Sequence, residues 1–283
     1  MAQDVITVGP NNIRLPRRAV NTHKGDYGRL FILAGSRGYT GAAALCARSA
    51  VRGGAGLVTV AVPADIYPIV AMKCDEAIVR PLPVDDGAVL EQAKGCDAVL
   101  IGPGLGQDER AERLVLTLLR TLDCPIILDA DGINIISGHI DVLDKRAGET
   151  VLTPHEGEFA RLTGCPLPVR DRVGMARWFA QAHRCTLVLK GHRTVTAFPD
   201  GTCAVNPTGN PGLAKGGSGD VLAGLMAALV VQGIENAAPA AVWLHGRAGD
   251  LAAADKGEYG MTPSDVIEQI PYAIKELVNN REE

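Results

Sequence analysis

Short, unbroken apolar runs recur along this chain, and most stop at a glycine or an acidic residue. Leu30-Phe31-Ile32-Leu33-Ala34 ends at Gly35-Ser36, and Leu57-Val58-Thr59-Val60-Ala61-Val62 follows a Gly53-Gly54 break. Ala98-Val99-Leu100-Ile101, Pro125-Ile126-Ile127-Leu128, Thr150-Val151-Leu152 and Thr186-Leu187-Val188-Leu189 continue the series. Runs of this length, apolar at every position, suit strands buried on both faces. Helical stretches lie between them. Thr40 is placed to cap one carrying Ala42 to Val51, an amphipathic stretch spans Asp108 to Leu122, and another follows Asp131. Strand, short loop, helix, strand predicts an α/β fold with a mostly parallel sheet, right-handed crossovers and helices on both faces.

Three segments depart from the alternation. Residues 1–28 are polar and broken by Pro10, Pro16 and Gly25, which predicts an irregular arm with helical character near Leu15–Val20. Thr194–Phe198, Pro199-Asp200-Gly201 and Thr202–Val205 read as a hairpin at a sheet edge. From Ala237 the tail reads as three helical stretches broken near Gly257–Pro263. Nothing resembles a repeat or an inter-domain linker, so residues 1–283 read as a single domain. Open parallel sheets bind ligands beyond the carboxyl ends of their strands. That topology puts Gly35, Gly104, Asp131, His155, Lys190 and Asp220 on one rim.

Composition narrows the classes. Apolar residues make up 47% of the 283, enough for a large core. A formal charge of −4 without a basic run, and aromatics at only 4%, argue against a nucleic-acid partner. The seven cysteines include no Cys-x-x-Cys pair and read as reduced core thiols of a cytosolic, hence cytoplasmic, protein. Residues 1–18 lack the apolar segment of a signal peptide, and Val221–Val231 is too short to span a membrane.

The chemistry concentrates in residues 209–224, Gly-Asn-Pro-Gly-Leu-Ala-Lys-Gly-Gly-Ser-Gly-Asp-Val-Leu-Ala-Gly. A glycine-rich turn feeds an apolar helix whose first N–H groups have no intrahelical partner. Those donors and the helix dipole make an anion site, and Gly216, Gly217 and Gly219 let a phosphate approach the backbone. The plainer alternative is a flexible loop with a helix cap. Asp220, in the first helical turn, would repel an anion there, and general-base chemistry on a hydroxyl attacking a phosphate gives it a reason.

Thr208-Gly209-Asn210-Pro211-Gly212 with Lys215-Gly216-Gly217-Ser218-Gly219-Asp220-Val221-Leu222-Ala223-Gly224 resembles the signature of the ADP/ATP-dependent NAD(P)H-hydrate dehydratases of the ribokinase-like superfamily. Lys24-Gly25-Asp26-Tyr27-Gly28-Arg29, Gly35–Gly41 with Ala42-Ala43, and Asp129-Ala130-Asp131-Gly132-Ile133-Asn134 match too, so the resemblance spans about residues 24–270. It implies a three-layer α/β/α ribokinase-like fold with an edge β-hairpin. The implied activity removes water from hydrated NADH or NADPH (the S epimer) at the expense of ADP or ATP, with Mg2+. It also implies a homo-oligomer, a tetramer.

The resemblance gives individual residues roles. Asp220 would be the catalytic base, with Gly217, Ser218 and Gly219 as the anion hole and Gly219 also facing the nucleotide. Gly104, in Gly102-Pro103-Gly104-Leu105-Gly106, would line the hydrated-dinucleotide site. Residue by residue that segment also fits a tight strand-to-helix turn, and with Gln107 and Pro103 it fails as a dinucleotide fingerprint. His155 would contact the same substrate, and Glu158, three residues on, would organise Mg2+ through water. An acidic, solvent-facing helix start is the alternative there. Superfamily kinases usually carry Asn where His155 stands, which favours the dehydratase branch. Lys190-Gly191-His192-Arg193-Thr194 would hold nucleotide phosphates, or form a turn with solvated basic ends. His155 and Lys190 are expected on opposite sides of the anion hole. Ala43 is the candidate for direct substrate contact, against simple helix–sheet packing. Asp131 and Asn134 have supporting or capping roles, and the remaining histidines have no spacing that suggests metal ligation. A chain without an attached epimerase domain resembles bacterial forms, which points to ADP. The rival readings are a vitamin-precursor or sugar kinase, a dinucleotide oxidoreductase and a non-catalytic nucleotide-binding module.

Overall fold

Successive side chains of a strand point to opposite faces of its sheet, and in this protein each face carries its own core. The computed structural model describes residues 5–279. Its strands are β1 (Val5–Thr7), β2 (Arg29–Leu33), β3 (Leu57–Val62), β4 (Ile78–Pro81), β5 (Ala98–Ile101), β6 (Ile126–Leu128), β7 (Thr150–Leu152), β8 (Thr186–Leu189), β9 (Val195–Ala197) and β10 (Cys203–Val205). They form one 10-stranded sheet in the order β1-β10-β9-β8-β7-β6-β5-β2-β3-β4. From β4 across to β8 every pairing is parallel, and β9 reverses direction against both β8 and β10.

The helices are α1 (Thr40–Arg52), α2 (Tyr67–Ala71), α3 (Asp86–Lys94), α4 (Glu109–Thr121), α5 (Asp131–Ile136), α6 (Asp141–Asp144), α7 (Glu156–Thr163), α8 (Arg172–Ala182), α9 (Ser218–Val231), α10 (Ala237–Gly260) and α11 (Pro263–Asn279). Leu30, Ile32, Val58, Val60, Leu100 and Ile127 face a core shared with α1, α9, α10 and α11. Phe31, Leu33, Val99, Ile101, Ile126 and Leu128 face the opposite core, built with α3 to α8. The result is three layers, α/β/α.

Three sequence expectations change. The hairpin of β9 and β10 is not at the sheet edge, because β1 pairs in parallel with β10, Val5 opposite Cys203, and takes that edge. Thus part of the arm is a strand, while Leu15–Val20 is not helical. Tyr39, not Thr40, occupies the N-cap of α1. The tail breaks where expected, since Gly257 leaves helical geometry at φ 72, ψ 154 inside α10 and a second break at residues 261–262 precedes α11. The apolar-run pattern also does not find the opposite edge strand, β4, where Arg80 and Pro81 interrupt it; proline is tolerated on an edge.

The helix α9 is apolar all round, as a helix enclosed by its neighbours must be. It crosses α1 so closely that a Cβ on Gly224 would overlap the Cys46 carbonyl oxygen. Two hydrogen bonds fix the crossing. The Cys46 thiol donates to the Asp220 carbonyl at 3.2 Å, and the Ser49 hydroxyl donates to the Val221 carbonyl at 2.6 Å. Gly224→Ala is therefore expected to destabilise the fold by about 1–3 kcal/mol, as overpacking does. Gly138→Ala, where an added Cβ meets nothing within 4 Å, should stay within about 0.5 kcal/mol of wild type. Urea unfolding of both variants checks this; equal midpoints would refute the close crossing.

Candidate active site

Backbone hydrogen bonding continues past the ends of the strands and aligns the rim. Gly102 N–H donates to Leu33 O at 3.0 Å, Asp129 N–H to Ile101 O at 3.1 Å and Thr153 N–H to Leu128 O at 3.1 Å. Lys190 N–H donates to Pro154 O at 2.8 Å, and His155 and Lys190 form a parallel bridge. The ends of β5, β6, β7 and β8 thus lie side by side. The N-terminus of α9 opens onto them: a Cβ at Gly219 would lie 3.4 Å from Lys190 Nζ.

Lys190 and His155 are consequently neighbours, which corrects their expected placement across the anion hole. The Lys190 side chain is 17% exposed, and its ammonium donates to Asp129 Oδ1 at 2.7 Å, with Glu158 Oε2 at 4.0 Å. Burial works against its charge, but Asp129, Glu158 and Asp220 outweigh this and hold its pKa above the ordinary value. Asp129 is the site residue that sequence reasoning passed over in favour of Asp131. It is buried, and the Thr153 hydroxyl donates to the same Oδ1 at 2.7 Å. Its position directly after β6 is the signal that could have found it.

Asp220 is the third residue of α9. Burial pushes its carboxyl up to about 7; Asp129 adds to the rise and Lys190 opposes it. A carboxylate tuned this way can accept a proton near neutral pH, as a general base must. Before it, Gly217 holds φ 98 at the N-cap, a left-handed conformation that suits glycine. Of the three expected anion-hole amides, Ser218 N–H turns back to Lys215 O at 3.2 Å, while Gly217 and Gly219 flank it at the helix start. Beneath this turn the Cys46 thiol is held protonated, chiefly by burial and further by Asp220 and Asp129.

His155 caps α7. Its Nδ1 accepts from Gly157 N–H at 3.0 Å and Glu158 N–H at 3.2 Å, and Glu158 Oε2 accepts from His155 N–H at 2.8 Å. This reciprocal capping box locks both side chains. The imidazole stays 55% exposed on the rim, whereas the Glu158 side chain is 6% exposed. Among the described residues no group of three or more His, Cys, Asp or Glu is arranged to cage a metal ion.

The other predicted residues divide. Gly104 sits on the rim at φ 60, where a Cβ would come within 2.7 Å of Tyr39 Cβ. Ala43 is 0% exposed and lies against Gly35, so the structure gives it packing and not an open face for a substrate. Asp131 braces the Gly104–Gly106 turn, accepting from Gly106 N–H and the Gln107 amide at 2.9 Å each. Asn134 accepts from Arg161 at 2.7 Å. Gly191 to Thr194 form a tight turn at the rim. The Thr194 hydroxyl donates to Gly191 O at 2.9 Å, Arg193 has φ 54, and the His192 and Arg193 side chains are exposed. Arg172 supports this turn from α8, donating to Leu189 O at 2.8 Å and His192 O at 2.6 Å. No local motif marks Arg172; only the folded topology brings it there.

Comparison with known proteins follows the same lines. The family model described as NAD(P)H-hydrate dehydratase matches residues 30–272. A bifunctional NAD(P)H-hydrate repair enzyme of Moorella thermoacetica is 43% identical over 93% of this chain and 52% of its own length. The ADP-dependent (S)-NAD(P)H-hydrate dehydratase of Bacillus subtilis is 38% identical over 84% of this chain and 85% of its own. The crystal structure of the Bacillus subtilis ADP/ATP-dependent NAD(P)H-hydrate dehydratase, co-crystallised with ATP/Mg2+, superposes with a TM-score of 0.85. It is 33% identical and covers 98% of this chain and 100% of that one. The chain spans about half the length of the bifunctional relatives it matches. Its layering is that of the ribokinase-like superfamily. With a family model that takes in most of its length and a rim that carries the matching motifs, the chain belongs to the NAD(P)H-hydrate dehydratase family.

Proposed function

We propose that this protein dehydrates the S epimer of hydrated NADH or NADPH, coupled to hydrolysis of ADP or ATP. One observation carries the reading: a half-buried aspartate, with its pKa raised to about 7, at the glycine-rich start of a helix and beside a buried lysine. Asp220 takes the proton from the substrate's ring hydroxyl as that oxygen attacks the terminal phosphorus of the nucleotide. The P–O bond to the departing nucleotide breaks. The helix-start amides and the Lys190 ammonium meet the charge that develops. The ring nitrogen's lone pair then expels inorganic phosphate, and the iminium so formed loses a proton from the adjacent ring carbon to solvent, which restores the dihydronicotinamide. His155, exposed and locked on the neighbouring strand end, contacts the hydrated ring, with Gly104 beside it. Lys190 to Thr194 face the nucleotide.

Mg2+ fits these residues. It keeps much of its hydration shell and needs few protein carboxylates beyond the phosphates themselves. Here one carboxylate, Glu158, is fixed by its capping box at the rim. Glu158 would hold the ion through water, and the ion would supply neutralising charge to the transferring phosphoryl group. The names of the Bacillus subtilis relatives support ADP and ATP alike as donors, and ADP is our first choice. Family resemblance supports a homotetramer, and the free cysteines support a cytoplasmic setting.

The decisive experiment is incubation with hydrated NADH, each nucleotide in turn, and Mg2+. Each nucleotide consumed should yield one inorganic phosphate and one NADH, seen as a rise in near-ultraviolet absorbance, and chelating the metal should stop both together. A stable phosphorylated small molecule with no absorbance gain would replace this reading with that of a kinase.

Asp220→Asn should lose roughly 10²–10⁴-fold in turnover while nucleotide affinity, measured by calorimetry, holds or improves. A variant keeping more than about a tenth of the wild-type rate would contradict the general-base role.

The raised pKa also fixes a pH dependence. In the wild type kcat/KM should rise with pH up to about 7 and then level, because the base must be unprotonated. Folding stability runs the other way. The folded state binds the Asp220 proton more tightly than the unfolded one, so the aspartate costs stability as pH climbs from about 4 to about 7. Asp220→Asn should therefore be more stable than wild type at pH 8, by up to about 4 kcal/mol before screening by solvent reduces it, and equal to it near pH 4. Urea titrations at both pH values would show it; a difference independent of pH would mean Asp220 is not buried as described.

A further inference from the structure

Between the hairpin and the anion site, residues 206–218 run along one face of α10, and that helix holds them at successive points. The Thr208 hydroxyl donates to the Trp243 carbonyl at 2.9 Å. At Gly246 an added Cβ would overlap Thr208, so the loop backbone rests directly on the helix. Next along the same face comes Asp250. Its Oδ2 accepts from Gly209 N–H at 3.0 Å and its Oδ1 from the Asn210 amide nitrogen at 3.0 Å. Asn210 Oδ1 in turn accepts from Gly212 N–H at 2.9 Å, closing the turn over Pro211–Leu213. The Leu213 side chain lies over Gly249. Beyond the Gly257 kink, the Tyr259 and Met261 carbonyls accept from Lys215 Nζ at 2.7 and 2.5 Å. Trp243, Gly246 and Asp250 stand three and four residues apart, the spacing of one helical face.

Two donors meet Asp250, one on each oxygen. A carboxylate is the side chain of this length that can accept from both, since an amide would present its own N–H2 to one of them. Asp250 also holds the bend before the point where the chain must deliver Gly217 and Gly219 to a phosphate. We propose that Asp250 is a positioning residue for phosphoryl transfer. It fixes the Gly209–Leu213 bend on α10 and through it the amides at the start of α9. The proposal rests on reading that helix start as the phosphoryl site. Asp250 itself touches neither substrate; it acts through Gly209, Asn210 and the turn that follows.

Kinetics, nucleotide binding, thermal unfolding and hydrogen exchange test this. Asp250→Ala should lower kcat by about ten- to a hundredfold, the cost of small misplacements remote from the chemistry. Asp250→Asn, which keeps one acceptor oxygen, should fall between Ala and wild type. The Michaelis constant for the hydrated dinucleotide should stay unchanged, while the dissociation constant for ADP rises. The Gly209 N–H lies where water can replace the lost acceptor, so the melting temperature should move by no more than about 2 °C. Hydrogen exchange should quicken in residues 208–217 of Asp250→Ala and stay at the wild-type rate in residues 222–231. A kcat within twofold of wild type, unchanged exchange in 208–217, or an activity loss that only tracks a fall in melting temperature would each overturn the proposal. If the wild-type protein restores no NADH, the functional reading fails instead. The exchange measurement then still decides whether Asp250 holds the bend.

Discussion

A single ammonium group, that of Lys190, lies among the carboxylates of Asp129, Glu158 and Asp220, largely shut off from water. Buried charge is tolerated only with a partner, and removing one member of such a group leaves the others uncompensated. Lys190 is shared unequally. Its 2.7 Å contact goes to Asp129, which the Thr153 hydroxyl also supports. Glu158 is turned toward its capping box. Burial pushes the Asp220 carboxyl up to about 7, Asp129 adds to the rise as a like charge, and Lys190 opposes it. One cation thus lies among three carboxylates of the same chemistry that the fold employs as its anchor, as a helix cap and as the group at the start of α9.

That division depends on the sheet register. Parallel strands that end at the same level bring Asp129, His155 and Lys190 into adjacent positions, and the crossing of α1 with α9 brings Asp220 down onto them. The Gly224–Cys46 contact and the Ser49 hydrogen bond to Val221 lie within about one turn of Asp220 along α9, and they set how far the start of α9 reaches over the rim. The tether on α10 sets its approach from the other side. The helix start is held between two helices and a strand end, which lets a loop of glycines keep a defined shape.

Much of this arrangement is legible in the sequence. Continuous apolar runs announce β2, β3 and β5 to β8 because strands buried on both faces need no alternation. The rim follows, because the residue after each strand in a parallel sheet must be at the carboxyl end. Where the reading fails, a long-range fact decides. Val5–Thr7 looks like part of an irregular arm because its partner, β10, is far along the chain. Ala43 looks equally good as a substrate contact or as packing until Gly35 is found against it. The neighbourhood of His155 and Lys190 depends on β7 and β8 being adjacent, which no local pattern specifies. Asp129 and Asp131 are indistinguishable by type and differ only in which way the chain turns between them, at the unusual φ 50 of Ala130.

The pairing of β1 with β10 has a consequence for how the protein is made. Val5 meets Cys203, about two hundred residues later, and it is through β1 that this edge of the sheet is completed. During synthesis the β1 segment is made before every strand from β2 to β10 and waits while they are produced. A pairing of such separation bears a large loop-closure cost and comes late in folding. Val5 and Ile6 remain 48% and 46% exposed even when docked. Until then the nascent chain displays an unpaired apolar strand, and it does so well before the rim at the far ends of the strands exists.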